Sequence, residues 1–154
     1  MGIVTTKTGD KGKTYLKDKV VSKGSLTIES IGTIDELIAN MILTQSLTQL
    51  DRNLFEGPVN KLIEIGSYLA GFKGVPDFKD ITDQLEQTIL SRRENYNGFI
   101  YPYGDPKNAQ INVLRTVVRR TERTLIRHHE ENPLPESLLI FMNRLSDYVF
   151  VLIG

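Results

Sequence analysis

The sequence is organised around one charged stretch, Arg115-Thr116-Val117-Val118-Arg119-Arg120-Thr121-Glu122-Arg123. At 3.6 residues per turn, Arg115, Arg119 and Glu122 fall on one face of a helix. The opposite face carries an apolar stripe, made of Val113, Leu114, Val117, Val118, Thr121 and Leu125. The stretch therefore predicts an amphipathic helix that packs on one side and is charged on the other.

The charged face of this helix has two interpretations. Arg115 and Arg119 are four residues apart, so their guanidinium groups could converge on one anion, while Glu122 is spaced to reach Arg119 and orient it. Alternatively, these side chains form ordinary ion pairs on a solvated surface, where each pair contributes only ~0–1 kcal/mol. The stretch by itself leaves both interpretations open.

Composition limits the classes of function. The 154 residues suit a single domain, in which we expect an N-terminal segment over residues 1–30 and a helical bundle over residues 31–154. Lys and Arg number 19, as do Asp and Glu, so the overall charge does not favour nucleic acid or an anionic membrane as a partner. The absence of cysteine excludes disulfides, thiolate metal ligands and a cysteine nucleophile. We find neither a membrane-spanning run of ~18 apolar residues nor a signal peptide, and we expect a cytoplasmic protein.

The N-terminal segment is small, polar and basic over residues 5–14, and its glycines suit a loop that folds around a ligand. Gly12-Lys13-Thr14 resembles the end of a P-loop, but Lys7 stands where that motif requires glycine, and the flanking strand and helix are missing. Its amides, hydroxyls and ammonium groups still suit phosphate oxygens. The segment is interpreted either as a phosphate-binding loop or as a loose basic terminus.

Capping signals and periodicity predict an all-α fold with five helices. Thr33 and Glu36 form a capping box that opens the first helix and places Asp35 in its first turn. The second helix is predicted from about Pro58 to residue 72, and the third from about residue 82 to residue 96.

The last two helices have clear boundaries in the sequence. Asp105 and Pro106 supply an N-cap and a first-turn proline for the arginine helix, which we expect to end near residue 131. The fifth helix is predicted to begin near Pro135. The two histidines, His128 and His129, fall where a helix dipole favours imidazolium, but adjacent helical residues point apart, which disfavours a shared metal or catalytic role.

With these pieces identified, the chain resembles the PduO-type cobalamin adenosyltransferases, also called corrinoid adenosyltransferases, over nearly its full length. The resemblance rests on four motifs in the right order: Thr6-Lys7-Thr8-Gly9-Asp10-Lys11-Gly12, Gly32-Thr33-Ile34-Asp35-Glu36-Leu37, the stretch from Arg115 to Arg123, and Asn143-Arg144-Leu145-Ser146-Asp147.

The resemblance implies a five-helix bundle of the ferritin-like up-and-down type that assembles as a homotrimer. It implies a transferase that moves the 5′-deoxyadenosyl group of ATP to the cobalt of cob(I)alamin, giving adenosylcobalamin and triphosphate. Each nucleotide-binding site would lie between subunits, with the N-terminal loop of one copy facing the arginine helix of the next.

Site residues follow from the resemblance position by position. The implied ATP-binding residues are Thr6, Lys7, Thr8, Gly9, Thr14, Tyr15, Lys23, Arg119, Arg120, Glu122, Arg123 and Asn143. The implied corrinoid-binding residues are Phe99, Asp35 and Arg115. Arg115, Arg119 and Asp35 are the implied catalytic residues, and Phe99 matches the aromatic side chain that replaces the lower axial ligand of cobalt.

The implied cosubstrate is ATP, with magnesium held mainly through its phosphates rather than by a protein metal site, and the implied substrate is cobalamin. The implied partners are a flavoprotein or another reductase and a cobalamin-dependent enzyme. The sequence departs from the family at Tyr101-Pro102-Tyr103-Gly104, where Leu-Pro-Gly-Gly is usual, and these bulky side chains could reshape the corrinoid pocket. Two alternatives therefore stay open: a non-catalytic ATP-binding or cobalamin-chaperone trimer of the same fold, and a purely structural helical bundle.

Overall fold

The computed structural model describes residues 5–23, 25–93, 98 and 100–154. These residues form five helices, which confirms the all-α bundle predicted from periodicity. Their bounds are α1 Leu26–Thr48, α2 Asn53–Leu69, α3 Lys79–Arg92, α4 Pro106–Glu131 and α5 Glu136–Phe150. Before them comes an antiparallel hairpin of two short strands, β1 Lys13–Tyr15 and β2 Val20–Ser22, in the N-terminal segment whose glycines predict a loop.

The helices pack in the spatial order α2, α1, α4, α5 and α3, and their apolar faces enclose one core. The helices α1 and α4 run antiparallel, because Gln110 near the start of α4 bonds Thr44 near the end of α1, whereas Arg127 near the end of α4 pairs with Glu29 near the start of α1. In the described part of the chain, no helix is long and apolar enough to cross a membrane.

The start of α1 corrects the predicted capping box. The helix begins at Leu26, with Ser25 as N-cap accepting a hydrogen bond from the amide of Ile28 (3.3 Å). Thr33 lies in the helix interior and donates its hydroxyl to the carbonyl of Glu29 (2.7 Å), so it caps nothing. Asp35 consequently sits in the third turn rather than the first, and the predicted boundary between residues 30 and 31 falls within the helix.

The start of α2 is also earlier than predicted. The helix begins at Asn53, so Pro58 occupies an interior position instead of the first turn. A proline there lacks the N–H that would bond the carbonyl four residues earlier, which belongs to Leu54. The hydroxyl of Tyr148 on α5 donates to that carbonyl instead, at 2.6 Å. Tertiary packing therefore compensates for a proline that local rules place at a helix start.

The remaining boundaries lie closer to prediction. The predicted third helix began near residue 82, but α3 starts at Lys79 and ends at Arg92. The bounds of α4 are confirmed, and the carboxylate of Asp105 caps it by accepting from the amide of Asn108 (3.1 Å). The predicted start of α5 near Pro135 is confirmed as well.

Candidate functional site

The charged stretch lies in the middle of α4, and its two faces differ sharply in burial. Leu114, Val118, Thr121 and Leu125 are fully buried, which confirms most of the predicted apolar stripe. Val113 is the exception, since it is 49% exposed. It lies one 100° step away from Leu114 and thus off the centre of the stripe.

Arg119 and Glu122 form an ordered pair on the charged side of α4. Nη1 of Arg119 lies 3.1 Å from Oε1 of Glu122, as the spacing predicted. Glu122 is only 8% exposed, and a carboxylate this buried requires a partner. The pair therefore stabilises the buried carboxylate and fixes the orientation of a half-exposed guanidinium group.

Two further arginines of α4 reach across to α1. Arg120 pairs with Glu36, and Arg127 pairs with Glu29 at 3.1 Å. Glu36 was predicted as part of a capping box, but its carboxylate orients an arginine of the candidate site instead. The helix that carries Asp35 is thus tied to the helix that carries the arginines.

Arg123 and Asn143 are the unpaired members of the predicted set on α4 and α5. Both are exposed, and neither has a hydrogen-bond or ion-pair partner among the described residues. Because α4 and α5 are adjacent, these polar groups are available to a ligand that binds beside the Arg119 pair.

The N-terminal segment folds into two consecutive tight turns. The amide of Asp10 donates to the carbonyl of Lys7 (3.2 Å), and the amide of Gly12 donates to the carbonyl of Gly9 (3.1 Å). Lys7 adopts a positive φ of 63°, which is uncommon for a residue other than glycine and is concentrated at functional sites. The hydroxyls of Thr6 and Thr8, flanking Lys7, lie 2.9 Å apart.

Lys23 joins these turns from the far end of the hairpin. Its amide donates to the carbonyl of Gly12 (2.9 Å), and its ammonium group lies against Gly9. A Cβ on Gly9 would come within 2.8 Å of that ammonium nitrogen, so any larger residue there would displace it. Thr14 and Tyr15 follow in β1, with Tyr15 exposed. The structure therefore brings Gly9 and Lys23 into contact, with Thr6, Lys7 and Thr8 in the adjoining turn.

The hairpin is anchored to the bundle at its turn. Leu16 is buried, and the amide of Lys17 donates to the carbonyl of Ala70 just beyond α2 (3.2 Å). In the described part of the chain, no hydrogen bond or ion pair joins residues 5–15 to the arginines of α4. Within the described part of one copy, the two predicted halves of the site therefore share no hydrogen bond or ion pair.

Among the described residues, those predicted on the corrinoid side share no hydrogen bond or ion pair with each other either. Asp35 is exposed on the rim of a groove of about 380 Å³ between α1 and α2, without a hydrogen-bond partner among the described residues. Arg115 is half-buried on α4, where its Nε donates to Oδ1 of Asn112 (3.0 Å). The expected convergence of Arg115 with Arg119 is not supported by any shared partner. Phe99 lies outside the described residues.

The aromatic loop before α4 presents its side chains to solvent. Tyr101 is 75% exposed and Tyr103 is 97% exposed. They line a mainly apolar cleft of about 410 Å³, together with Val113 and Asn112 of α4. The turn that holds them is ordered by the bond from the amide of Tyr103 to the carbonyl of Tyr101 (2.9 Å).

Comparison with known proteins identifies the family. The family model described as cobalamin adenosyltransferase matches residues 4–153. The chain belongs to the cobalamin adenosyltransferase family. The corrinoid adenosyltransferase of Bacillus subtilis (strain 168) is 34% identical, over 94% of this chain and 81% of that protein. The cobalamin adenosyltransferase of Cupriavidus metallidurans is 31% identical, over 97% and 85%.

Solved structures of the same family share the fold. A variant of the PduO-type ATP:corrinoid adenosyltransferase from Lactobacillus reuteri, complexed with ATP, superposes with a TM-score of 0.88 at 31% identity, covering 97% of this chain and 91% of that one. A second variant, complexed with cobalamin and ATP, gives a TM-score of 0.77 at 29% identity, covering 98% and 91%.

Sequence reasoning about this cobalamin adenosyltransferase chain missed several residues that orient arginines of α4. Glu36 and Asn112 each hold an arginine of α4, and Glu29 holds Arg127. The signal for Asn112 was available, because it precedes Arg115 by three residues on the same helix. The signal for the two glutamates was not, since their partners lie on another helix.

The two histidines serve the end of the bundle rather than the charged stretch. His128 is buried, and burial lowers its pKa, although the Asn132 backbone and the Glu131 carboxylate oppose this. The expectation of a favoured imidazolium is therefore wrong for His128, because desolvation outweighs both of these opposing effects on its pKa. His129 accepts a hydrogen bond at Nδ1 from the amide of Leu134 (2.8 Å), which fixes the link to α5.

Proposed function

We propose that this chain is an ATP:corrinoid adenosyltransferase, a transferase that moves the 5′-deoxyadenosyl group of ATP to the cobalt of cob(I)alamin. The products are adenosylcobalamin and triphosphate. The observation that carries this proposal is the arginine face of α4, in which a buried glutamate orients Arg119, in a chain that belongs to the cobalamin adenosyltransferase family. Relatives of the same fold bind ATP and cobalamin, which supports the choice of substrates.

The reaction requires little covalent chemistry from the protein. The electron pair of Co(I) forms the bond to C5′, the C5′–O bond breaks, and its electron pair leaves with triphosphate. The protein's task is to align the two reactants and to stabilise the charge that accumulates on the leaving group. Arginine and lysine suit that task, because guanidinium groups bind phosphate oxygens through two parallel hydrogen bonds and ammonium groups act as compact charges.

We propose that ATP contacts two clusters of side chains. The N-terminal cluster contributes backbone amides, hydroxyls and the ammonium groups of Lys7 and Lys23, which are held together by the turns around Gly9. The helical cluster contributes Arg119, Arg120, Glu122, Arg123 and Asn143. Since nothing links the clusters within the described part of one copy, a homotrimer whose sites lie between neighbouring copies is the arrangement we propose.

Magnesium enters this proposal with the nucleotide. Among the described residues, no group of three or more His, Asp or Glu side chains is placed to hold a metal ion. The oxygens of the triphosphate are therefore its proposed ligands, and the ion would neutralise part of the leaving group's charge. The protein itself would contribute the lysine and arginine side chains on both sides of the phosphates.

The corrinoid side of the proposal rests on Asp35, Arg115 and Phe99. We propose that Asp35 of one copy meets Arg115 of the next beside the corrinoid, since both are charged residues without an oppositely charged partner among the described residues. Phe99 is proposed to replace the lower axial ligand of cobalt before reduction. A flavoprotein or another reductase would deliver the electron, a cobalamin-dependent enzyme would receive the product, and we place the protein in the cytoplasm as one domain.

Anaerobic incubation with ATP, Mg²⁺ and chemically reduced cobalamin tests the activity. The absorption spectrum should change to that of adenosylcobalamin, and the change should require ATP. Chemically reduced cobalamin removes the need for a partner reductase, so a negative result cannot be blamed on its absence. No adenosylcobalamin within a single turnover, despite tight binding of ATP, would overturn the enzymatic proposal.

That negative result would favour a second candidate, a non-catalytic ATP-binding or cobalamin-chaperone trimer. The exposure of Tyr101 and Tyr103 supports it, because these bulky residues stand where the family usually has leucine and glycine. Their cleft could hold a corrinoid in a position from which transfer does not occur. Binding of cobalamin without turnover distinguishes the two functions.

A further inference from the structure

Arg115 is held differently from the other paired arginines of α4. Arg119, Arg120 and Arg127 each form an ion pair with a glutamate. The Nε of Arg115 instead donates to the neutral side-chain amide of Asn112, at 3.0 Å. In the described part of the chain, this is the only hydrogen bond that fixes the Arg115 side chain.

A neutral partner changes what an arginine can do. A glutamate at hydrogen-bond distance orients a guanidinium group and also offsets its charge, whereas an amide oxygen orients it and leaves the charge intact. Because Asn112 occupies Nε, both terminal Nη groups of Arg115 stay free for a bidentate contact with an anion. Ordering the side chain beforehand also lowers the entropy cost of binding that anion.

The surroundings of this pair suit an incoming partner. Both side chains are half-buried, so a charge brought against Arg115 would be partly desolvated and would interact more strongly than at an open surface. Asn112 also lines the exposed cleft beside Tyr101 and Tyr103, so the pair borders a surface that a ligand or another copy can reach.

We propose that Asn112 is a positioning residue, which holds Arg115 in a fixed orientation without neutralising it, for a carboxylate supplied from outside the chain. This inference rests on the proposed function, in which Asp35 of a neighbouring copy provides that carboxylate. Asp35 fits because it is exposed and lacks a hydrogen-bond or ion-pair partner among the described residues. An acidic residue at position 112 would occupy the same place and satisfy Arg115 internally.

The isosteric variant Asn112→Asp separates the roles of geometry and charge. It keeps the contact to Arg115 and adds a negative charge, so a merely structural role for Asn112 predicts normal assembly and activity. Positioning without neutralisation predicts that single-turnover transfer falls by ~10-fold or more and that the trimer dissociates at a higher protein concentration than the wild type does. Asn112→Ala adds no charge, but it removes the hydrogen bond that orients Arg115. It should therefore raise the KM for cobalamin and leave the KM for ATP unchanged.

Asn60→Asp is the matched control, because Asn60 is an exposed asparagine inside α2 and its replacement adds the same charge away from the site. It should behave as the wild type in every assay. Sedimentation measures assembly without turnover, so it tests the inference even if the wild type forms no adenosylcobalamin. If Asn112→Asp assembles and reacts like the wild type, the inference is wrong whatever the fate of the proposed activity.

Discussion

At the scale of single residues, Arg119 provides the sharpest test of the phosphate-binding face. Arg119→Lys keeps the positive charge but loses the planar fork that Glu122 orients, so we expect transfer to slow by roughly 10-fold or more. Arg127→Lys is the matched control, since Arg127 is outside the proposed site and its pair with Glu29 is solvent-exposed. Anaerobic single-turnover kinetics measure both variants. Near-normal activity of Arg119→Lys would make Arg119 an ordinary surface residue.

The contacts of single residues show where sequence reasoning works. The Arg119–Glu122 pair was predictable, because helical geometry alone brings residues three apart together. The Arg120–Glu36 pair was not, since it depends on the register in which α1 packs against α4. Glu36 was even assigned a different task, because a local capping pattern was the only context that the sequence supplied for it.

At the scale of helices, Tyr148 and Pro58 form a compensating pair. Pro58 leaves the carbonyl of Leu54 without its helical donor, and the buried hydroxyl of Tyr148 replaces it at 2.6 Å. Burial also raises the pKa of Tyr148 to about 12, so the hydroxyl stays protonated and able to donate. Tyr148→Phe should lower the free energy of unfolding by about 1–3 kcal/mol, the cost of an unsatisfied buried acceptor.

Chemical denaturation measures this loss, and Tyr68→Phe serves as the control. Tyr68 is only partly buried, and its hydroxyl has no hydrogen-bond partner among the described residues, so its removal should change stability little. Equal stability of Tyr148→Phe and the wild type would mean that water satisfies the Leu54 carbonyl.

Helix boundaries were predictable wherever capping and packing signals coincide. Asp105 and Pro106 mark the start of α4 in both sequence and structure, because an N-cap residue and a first-turn proline stand next to each other there. For α1 the signals conflict, since Thr33 and Glu36 look like a start while buried Ser30 continues the packed face towards Ser25. The hairpin was missed because three-residue strands with exposed ends lack the alternation that identifies a strand.

At the scale of the whole molecule, His128 in the last turn of α4 is expected to make the stability of the protein sensitive to acid. It lies buried between Thr27 of α1 and the hairpin, where Lys17 and Asp18 line the same cavity, and desolvation lowers its pKa below 6.5. Between the folded and unfolded pKa values, His128 therefore binds a proton in the unfolded chain but not in the folded chain. The stabilisation that comes from neutral His128 should be complete above pH 6.5. The free energy of unfolding should then decrease as pH falls through the lowered folded pKa.

Thermal unfolding between pH 7.5 and 5.5 measures this decline, because carboxylates titrate mainly below that range. His128→Gln removes the titrating group, so it should flatten the profile even if it costs stability at every pH. A slope that survives in His128→Gln would assign the pH dependence to another group.

The proposed site requires several copies of the chain to assemble. Substitutions at Asp35 and Arg115 test this assembly. If the two meet across an interface, removing one partner leaves a buried charge uncompensated, at a cost of roughly 3–5 kcal/mol, whereas an exposed pair contributes about 0.2–1 kcal/mol. Asp35→Asn should therefore reduce both activity and trimer stability, as measured by single-turnover kinetics and sedimentation.

Mixing inactive subunits separates a shared site from a site within one copy. An interface that takes Asp35 from an Arg115→Ala subunit and Arg115 from an Asp35→Asn subunit contains neither defect. Random assembly of equal amounts makes about a quarter of the interfaces intact, so co-assembled trimers should regain a corresponding share of activity. Subunits assembled separately and then combined without exchange provide the control and should stay inactive. Because a site completed within one copy could never be restored by mixing, absence of recovery in verified mixed trimers would exclude the shared site, and a monomer in sedimentation would exclude it more directly.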